Sequence, residues 1–442
     1  MSTTTPSAPG RRPAHVPNAR WWRVGGLLLI SYLVAYIDRT NMSIAAPAMS
    51  KELGLDASQM GVLLSAFFWG YVVSLAFAGL VVTRLGAKRS MVIALIVFGL
   101  ASAATGMTHD FTQLIIVRVL LGLGEGLVFP AITIFLVKWF PSWERGRASG
   151  LSLLAIPISA IIMAPLGGWL IGNWDYRAMF IVQGLPPVII AVIVFFLIKD
   201  DPTKDKRLSD AERTFILENR ASGEKEQGGA WRDVYLNPRI WLISITYLLW
   251  LTGLYGFNQW LPTILTEASK EGIQAVGWLT TIPFVFAAAG MYFASRQSDK
   301  HDGRRTPFIA IPIALAGVAL LAQHFVPGNL FLDIVFLSIA CIGLHSAFGP
   351  WWPWALEGVP RNQTGFASSF ILSVGNFGGI IGPILVGLLT GGGAVSQGFY
   401  TLGYVLLASA ALSAVVVRAR RKHLARTAAA EKTPESPATA AN

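Results

Sequence analysis

Twelve stretches of this chain are apolar for long enough to cross a lipid bilayer, and that pattern limits the possible folds more than any motif does. A spanning helix needs about 20 mostly apolar residues. Read between Gly, Pro and charged breaks, such runs cover residues 22–46, 58–82, 89–108, 111–138, 146–172 and 177–198, then 240–265, 275–297, 306–325, 329–356, 365–391 and 397–418. In hydrocarbon every backbone N–H and C=O must find a partner within the protein, so runs of this length fold as helices. The composition agrees. Hydrophobic residues make up 53% of the 442 and charged residues only 13%, against about 25% charged in soluble domains. The expected fold is an all-α integral membrane protein with twelve transmembrane helices.

The longest polar segment, residues 199–239, divides the spans six and six. Two six-helix bundles joined this way form a transporter architecture, with the substrate site between the halves near the midplane. The chain thus divides into an N-terminal tail (1–21), a first bundle (22–198), a linker (199–239), a pseudo-symmetric second bundle (240–418) and a disordered tail (419–442), basic and then Ala/Thr/Pro-rich. Within the linker, Leu208 to Asn219 has helical spacing with Ser209 as its N-cap. No small-residue cleavage site follows the first apolar run, so that run reads as an uncleaved span.

An even number of spans puts both termini on one side. With that side cytoplasmic, Lys51, Arg177 and Lys270 lie outside, Arg39 and Arg118 lie within spans, and the other thirty of the 35 Lys and Arg residues are cytoplasmic. This is the positive-inside bias of a multi-pass plasma- or inner-membrane protein. It accounts for the net charge of +11 without a nucleic-acid partner. The single cysteine, Cys341, sits in an apolar run, reads as a buried small hydrophobe, and allows no intrachain disulfide.

Four ionisable residues fall well inside spans: Asp38 and Arg39 in the first, Arg118 and Glu125 in the fourth. Each costs about 2.5–3.5 kcal/mol at a helix centre on insertion scales, so each must pair or face water. Neighbours on a helix point about 100° apart, so Asp38 and Arg39 cannot pair well with each other. Arg118 and Glu125 lie two turns, about 10.5 Å, apart along one face. Asp38 can therefore pair across to Arg118, leaving Arg39 directed elsewhere into a cavity. With both acids ionised the four charges sum to zero, and protonating one or both makes the site cationic and suited to an anion. Asp38 reads as a proton carrier and Arg39 as the anion anchor.

Further residues can shape a site. Tyr71 offers a hydroxyl from an otherwise apolar face, and Asn376 is an amide among glycines that needs a partner. His345 reads at least as well as a satisfied core histidine as it does a titrating group. Of Trp351, Trp352 and Trp354, two are expected to anchor at the membrane interface. The glycines of "GLGEG" (122–126) permit close helix approach.

The stretches "YIDRTN" (36–41), "SAFFWGY" (65–71), "RVLLGLGEGLVFPA" (118–131), "KWFPSWERGRASG" (138–150), "WDYRAMFIVQGLP" (174–186), "GLYGFNQWLPTIL" (253–265) and "SDKHDGRR" (298–305) are familiar in combination. Through them the chain resembles the major facilitator superfamily, and within it the anion:cation symporter family of organic-anion transporters. The resemblance implies two bundles working by alternating access. It also implies protonation at Asp38 and Glu125, a substrate carboxylate held by Arg39, a charge network that includes Arg118, and substrate contacts from Tyr71 and Asn376. Two departures stand out. Thr83, in "GLVVTRLGAKR" (79–89), occupies the place of the family's loop aspartate. Ile156 stands where sugar-acid transporters carry a glutamine, which implies a substrate with fewer hydroxyls, an aromatic or short dicarboxylate rather than a sugar acid.

The leading expectation is proton-coupled uptake of a small organic carboxylate by a monomer without cofactor or metal, with organic-anion antiport or efflux as the alternative. "APLGG" (164–168) faintly resembles an antiporter motif, but its spacing is short. A sensor would need an output domain larger than the linker. An enzyme would need a nucleophile motif, a phosphate-cradling loop or a His/Cys cluster, and the sequence holds none.

Overall fold

The computed structural model describes residues 18–219, 231–301, 305–325, 329–360, 363–390 and 395–431. These are almost entirely helical and contain no strand. The first bundle comprises α1 (Gly26–Leu53), α2 (Ala57–Leu85), α3 (Ala87–Thr105), α4 (Phe111–Trp139), α5 (Trp143–Asn173) and α6 (Tyr176–Leu197). The second comprises α7 (Pro238–Ser269), α8 (Ile273–Lys300), α9 (Pro307–Phe325), α10 (Leu330–Ala355), α11 (Thr364–Leu389) and α12 (Ser396–Glu431). Eleven of these, all but α1, are long and apolar enough to cross a membrane on composition alone. With 28 residues α1 has the length, but Asp38, Arg39, Thr40 and Asn41 dilute its apolar character. Its packing against both α5 and α7 identifies it as the twelfth span.

The internal repeat shows in which helices touch. In the first bundle α1 packs on α5, α2 on α4 and α3 on α6; six helices later α7 packs on α11, α8 on α10 and α9 on α12. The interruptions repeat as well. Among the helices α4 breaks after Glu125 and α10 after Ser346, while α5 breaks at Leu154 and α11 at Phe377. Broken helices at corresponding places in two halves mark where a transporter binds its substrate.

Glycine sets the closest contacts. A Cβ on Gly70 of α2 would meet the Val119 carbonyl of α4, and one on Gly122 of α4 would meet the Phe67 carbonyl of α2. The "GLGEG" glycines are thus needed where these backbones touch. Between the bundles, α2 packs on α11 and α5 on α8. A Cβ on Gly61 would lie 2.7 Å from the Pro383 carbonyl, and one on Gly168 would lie 2.8 Å from the Ile273 carbonyl. Both seams lie at the end of the bundle opposite the linker. The glycine contacts draw the halves together at the end opposite the linker.

The linker helix Asp210–Asn219 starts as its sequence suggests, with the Ser209 hydroxyl accepting from the Glu212 N–H at 3.2 Å. Glu212 docks it to the first bundle. Arg20 is fully buried, with bonds to Glu144 at 2.7 and 2.8 Å and to Glu212 at 3.1 Å. Residues 1–17, 220–230 and 432–442 of the expected tails and linker lie outside the described residues.

Two expectations need correction. Helix α12 continues through the basic stretch expected to be disordered, as far as Glu431; this stretch is rich in Ala, Arg and Lys, all strong helix formers. Two of the three tryptophans of this stretch of α10 are not interfacial anchors. Trp351 and Trp354 are buried, and Trp351 stacks on Tyr247 at 4.7 Å and packs on Trp250 at 5.2 Å. Aromatic pairing in the second bundle's core outweighs the pull of the interface.

Two outcomes are expected. Arg20→Ala leaves two buried carboxylates without their cation and destabilises the detergent-solubilised protein by about 3–5 kcal/mol. An unchanged melting temperature would remove the clamp. Gly61→Leu wedges the α2–α11 seam apart. A single cysteine placed in the central cavity of a Cys341→Ser background then reacts severalfold faster with an impermeant thiol reagent from the seam side. Equal labelling rates would show that the seam does not seal that end.

Candidate functional site

A central cavity of about 60 Å³ lies between the halves. Its first-bundle wall is formed by Tyr36, Arg39, Thr40 and Ser43 of α1, Phe68 of α2, and Ile156, Ser159 and Ala160 of α5. The opposite wall is formed by Tyr255, Asn258 and Gln259 of α7, Phe284 of α8 and His345 of α10. The wall of the first bundle carries a full charge and the wall of the second carries neutral polar and aromatic groups.

All four intramembrane charges are paired. Asp38 faces Arg118 at 3.6 Å, as the helix geometry predicts. Asp38 also accepts a hydrogen bond from Asn41 Nδ2 at 2.9 Å and another from the Ser102 hydroxyl of α3. Arg118 donates to Asn41 Oδ1 at 3.2 Å and lies over the Phe180 ring of α6 at 5.2 Å. This cluster ties α1, α3, α4 and α6 together, and neither Asp38 nor Arg118 lines the cavity.

The second pair differs from the expected arrangement. Arg39 is not left unpaired in the cavity, because its Nε bonds Glu125 Oε1 at 2.5 Å. Two-turn spacing puts Arg118 and Glu125 on one face of α4, and that face turns to α1, where Arg118 meets Asp38 and Glu125 meets Arg39. The guanidinium is also enclosed by rings. It lies 4.6 Å from the Tyr36 centroid, 5.1 Å from Phe67 and 4.4 Å from Tyr71. A planar cation held over aromatic faces keeps its charge at a fixed position with little hydration. Arg39 alone of the four lines the cavity.

Glu125 keeps one oxygen in reserve: its Oε2 is buried and accepts no hydrogen bond, whereas Asp38 Oδ2, which also accepts none, faces the Arg118 guanidinium at 3.6 Å. A buried carboxylate oxygen without a donor is costly while ionised and becomes a natural seat for a proton.

The structure gathers Asp38, Arg39, Arg118 and Glu125 into one network and places Tyr71 against it as a platform under Arg39 rather than on the cavity wall. Asn376 is not brought to the cavity. It is buried at the α11 break, and its Nδ2 donates to the Leu372 carbonyl of its own helix at 2.8 Å. Ile156 does line the cavity, where the resemblance led us to look for a lost amide. Sequence reasoning passed over Asn41, Ser102, Tyr36, Tyr255 and Asn258. Only Asn41 carried a local signal, three residues after Asp38 on the same helical face.

Thr83 bonds the Gly79 and Leu80 carbonyls of its own helix at 2.8 and 3.0 Å. Across the same turn, Asp200 accepts from the Lys88 N–H at 2.8 Å and lies beside Gly86. A carboxylate from the end of α6 thus caps the start of α3. No group of three or more His, Cys, Asp or Glu side chains able to hold a metal occurs among the described residues.

Comparison with known proteins gives the same picture. The family model of the Major Facilitator Superfamily matches residues 28–272 and 270–441. A Pseudomonas putida protein named for metabolite transport is 29% identical over 385 residues, covering 84% of this chain and 86% of its own. An Agrobacterium vitis protein named for tartrate transport is 29% identical over 415 residues, covering 91% of each. A Bacillus subtilis protein named for galactarate and D-glucarate transport is 26% identical, covering 90% and 91%. Among solved structures, an inward-facing bacterial homologue of the lysosomal transporter Spinster superposes with a TM-score of 0.74 at 16% identity, covering 91% of this chain and 98% of its own. A D-xylose–proton symporter gives 0.70 at 14%, covering 89% and 97%. The chain belongs to the major facilitator superfamily, a membrane transporter rather than an enzyme, with relatives of the anion:cation symporter type.

Proposed function

We propose that the protein couples inward proton movement to uptake of a small organic carboxylate, and that Glu125 and the substrate compete for Arg39. One observation carries this reading: the only guanidinium on the cavity wall, among the described residues, is already held by a buried acid with a second oxygen open to protonation. While Glu125 is ionised it neutralises Arg39. Once Glu125 takes a proton, Arg39 is left a cation with a rigid fork facing the cavity, and a carboxylate is its natural bidentate partner. Binding of the anion in turn favours the protonated form, since linkage works equally in both directions. Release of the anion lets Arg39 recapture Glu125 and expel the proton. Asp38 and Arg118, one layer deeper, form a second exchangeable pair.

The relatives named for tartrate and for galactarate and glucarate support a carboxylate as cargo. Ile156, Phe68, Ala160 and Phe284 make much of the wall apolar, which favours a compact or flat acid over a polyhydroxylated one. With the linker and both termini on the cytoplasmic side, the glycine seams close the outer end of the path. The fold needs a bilayer and no second copy, since one chain encloses one path.

Purified protein in liposomes, challenged with carboxylates and read by external pH, tests the coupling. One proton carried with one monoanion moves no net charge, so pH is the informative signal. A transported acid alkalinises the exterior, and Arg39→Ala abolishes both this signal and binding while the protein remains folded. Acid binding that survives Arg39→Ala would rule out the anchor. Glu125→Gln mimics the protonated side chain, so substrate exchange persists while accumulation driven by a proton gradient is lost. Undiminished accumulation in Glu125→Gln would exclude Glu125 as the carrier.

A further inference from the structure

The far wall of the cavity has a chemistry that the carboxylate alone does not explain. His345 is 4% exposed and lines the cavity. Its Nδ1 lies 2.9 Å from the Cys341 carbonyl one turn back. A carbonyl only accepts, so Nδ1 is the donor and carries a proton. Phe284 and Phe348 flank the ring at 5.8 and 6.0 Å, and no acid bonds it among the described residues. The imidazole is therefore neutral, and its Nε2 is a lone-pair acceptor.

The neighbouring groups leave that acceptor without a donor from the protein. The aliphatic hydroxyls spend their protons on their own helices: Thr40 on the Tyr36 carbonyl at 3.0 Å, Ser43 on Thr40 at 2.7 Å and Ser159 on Ile156 at 2.8 Å, and the phenols of Tyr36 and Tyr255, which also line the cavity, do not donate to His345. Gln259 donates across the halves to the Leu64 carbonyl at 3.4 Å. The Asn258 side chain is unspent, and its Oδ1 is buried without a hydrogen-bond partner. Apart from Arg39, no Lys or Arg lines the cavity, so a second carboxylate at this end would meet no cation.

From this juxtaposition we infer that His345 and Asn258 form a hydroxyl-reading subsite, and that the cargo is an organic acid with its carboxylate on Arg39 and a hydroxyl at its other end. One hydroxyl has the chemistry for both partners, donating to His345 Nε2 and accepting from the Asn258 amide. Phe68, Ile156 and Phe284, which line the same cavity, accommodate an apolar or aromatic body. This refines the carboxylate reading and rests on it for the position of the acid group. A buried acceptor built for a hydroxyl discriminates strongly against an analogue that lacks one, because the acceptor is then left unpaired.

The test uses matched acids differing only at the far end: para-hydroxyphenylacetate, para-methoxyphenylacetate and phenylacetate, titrated against the purified full chain by thermal shift. The hydroxy acid is expected to bind roughly tenfold tighter than either analogue, the worth of one well-made hydrogen bond. His345→Phe and Asn258→Ala should each bring the three acids within about threefold of one another, mainly by weakening the hydroxy acid. His345→Gln, whose amide oxygen restores an acceptor, should keep most of the preference and shows that any loss in His345→Phe is not misfolding. Equal affinities in the unmodified protein, or a preference that persists in both His345→Phe and Asn258→Ala, would overturn the subsite. A neutral pair, para-hydroxybenzyl alcohol and para-methoxybenzyl alcohol, separates this inference from the carboxylate reading. If Arg39→Ala leaves acid binding intact, the anchor fails, while a hydroxyl preference in the neutral pair still supports the subsite and its absence overturns it.

Discussion

The structure depends on how four charges are kept inside an apolar slab. Two acids and two bases that deep are tolerable only as pairs, and the pairing dictates where their helices lie. Asp38–Arg118, with Ser102, Asn41 and the Phe180 ring, fixes α1 against α3, α4 and α6. Arg39–Glu125, with the rings of Tyr36, Phe67 and Tyr71, fixes α1 against α2 and the break in α4. The glycines at 70 and 122 let α2 and α4 approach closely enough to bring that platform beneath Arg39. A fully apolar helix in place of α1 would insert more readily, but would leave nothing on the cavity wall to hold an anion.

The same pairing leaves the halves free to move. Both intramembrane ion pairs lie within the first bundle, so neither must break when one bundle rocks against the other. Contact between the bundles rests instead on helix seams with glycine at the crossing points and on a long hydrogen bond from Gln259 to the Leu64 carbonyl. Van der Waals seams between smooth surfaces can re-form at a new angle, whereas a desolvated ion pair torn between moving bodies costs several kcal/mol. In the proposed function the charges therefore select and couple, while the glycine seams let the bundles move.

Much of this architecture was legible in the sequence, because length and apolarity specify spans directly and an intramembrane charge cannot be incidental. The Asp38–Arg118 pairing followed from helix geometry alone. Its companion did not, since the spacing of Arg118 and Glu125 fixes their relation along α4 but says nothing about how α1 is rotated beside it. Asn376 and two of the tryptophans of α10 lie elsewhere than their sequence context suggests, for a related reason. Their chemistry suits a site or an interface, but the break in α11 lets the amide satisfy itself on Leu372, and Tyr247 and Trp250 offer the rings a better partner than lipid headgroups. Ile156 was legible because its absence of chemistry mattered. An apolar residue on the cavity wall reads the same in sequence and structure.

In the proposed function, placing the coupling acid on the substrate's own anchor has a consequence that a remote proton site would not. If Glu125 lay far from Arg39, proton and anion could bind independently, and the protein would need a separate device to forbid the half-loaded states. Here the exclusion is local. An ionised Glu125 and a bound carboxylate are two anions claiming one guanidinium in a medium where like charges repel strongly, so the state holding both is disfavoured without any long-range signal. The opposite half-loaded state, a protonated Glu125 with no substrate, leaves Arg39 an unneutralised buried cation. That state is also costly, and its cost is relieved by whichever arrives first, the anion or the loss of the proton. Both leaks are suppressed by one contact 2.5 Å long, and the tightness of coupling should follow the geometry of that contact more closely than the affinity of either ligand.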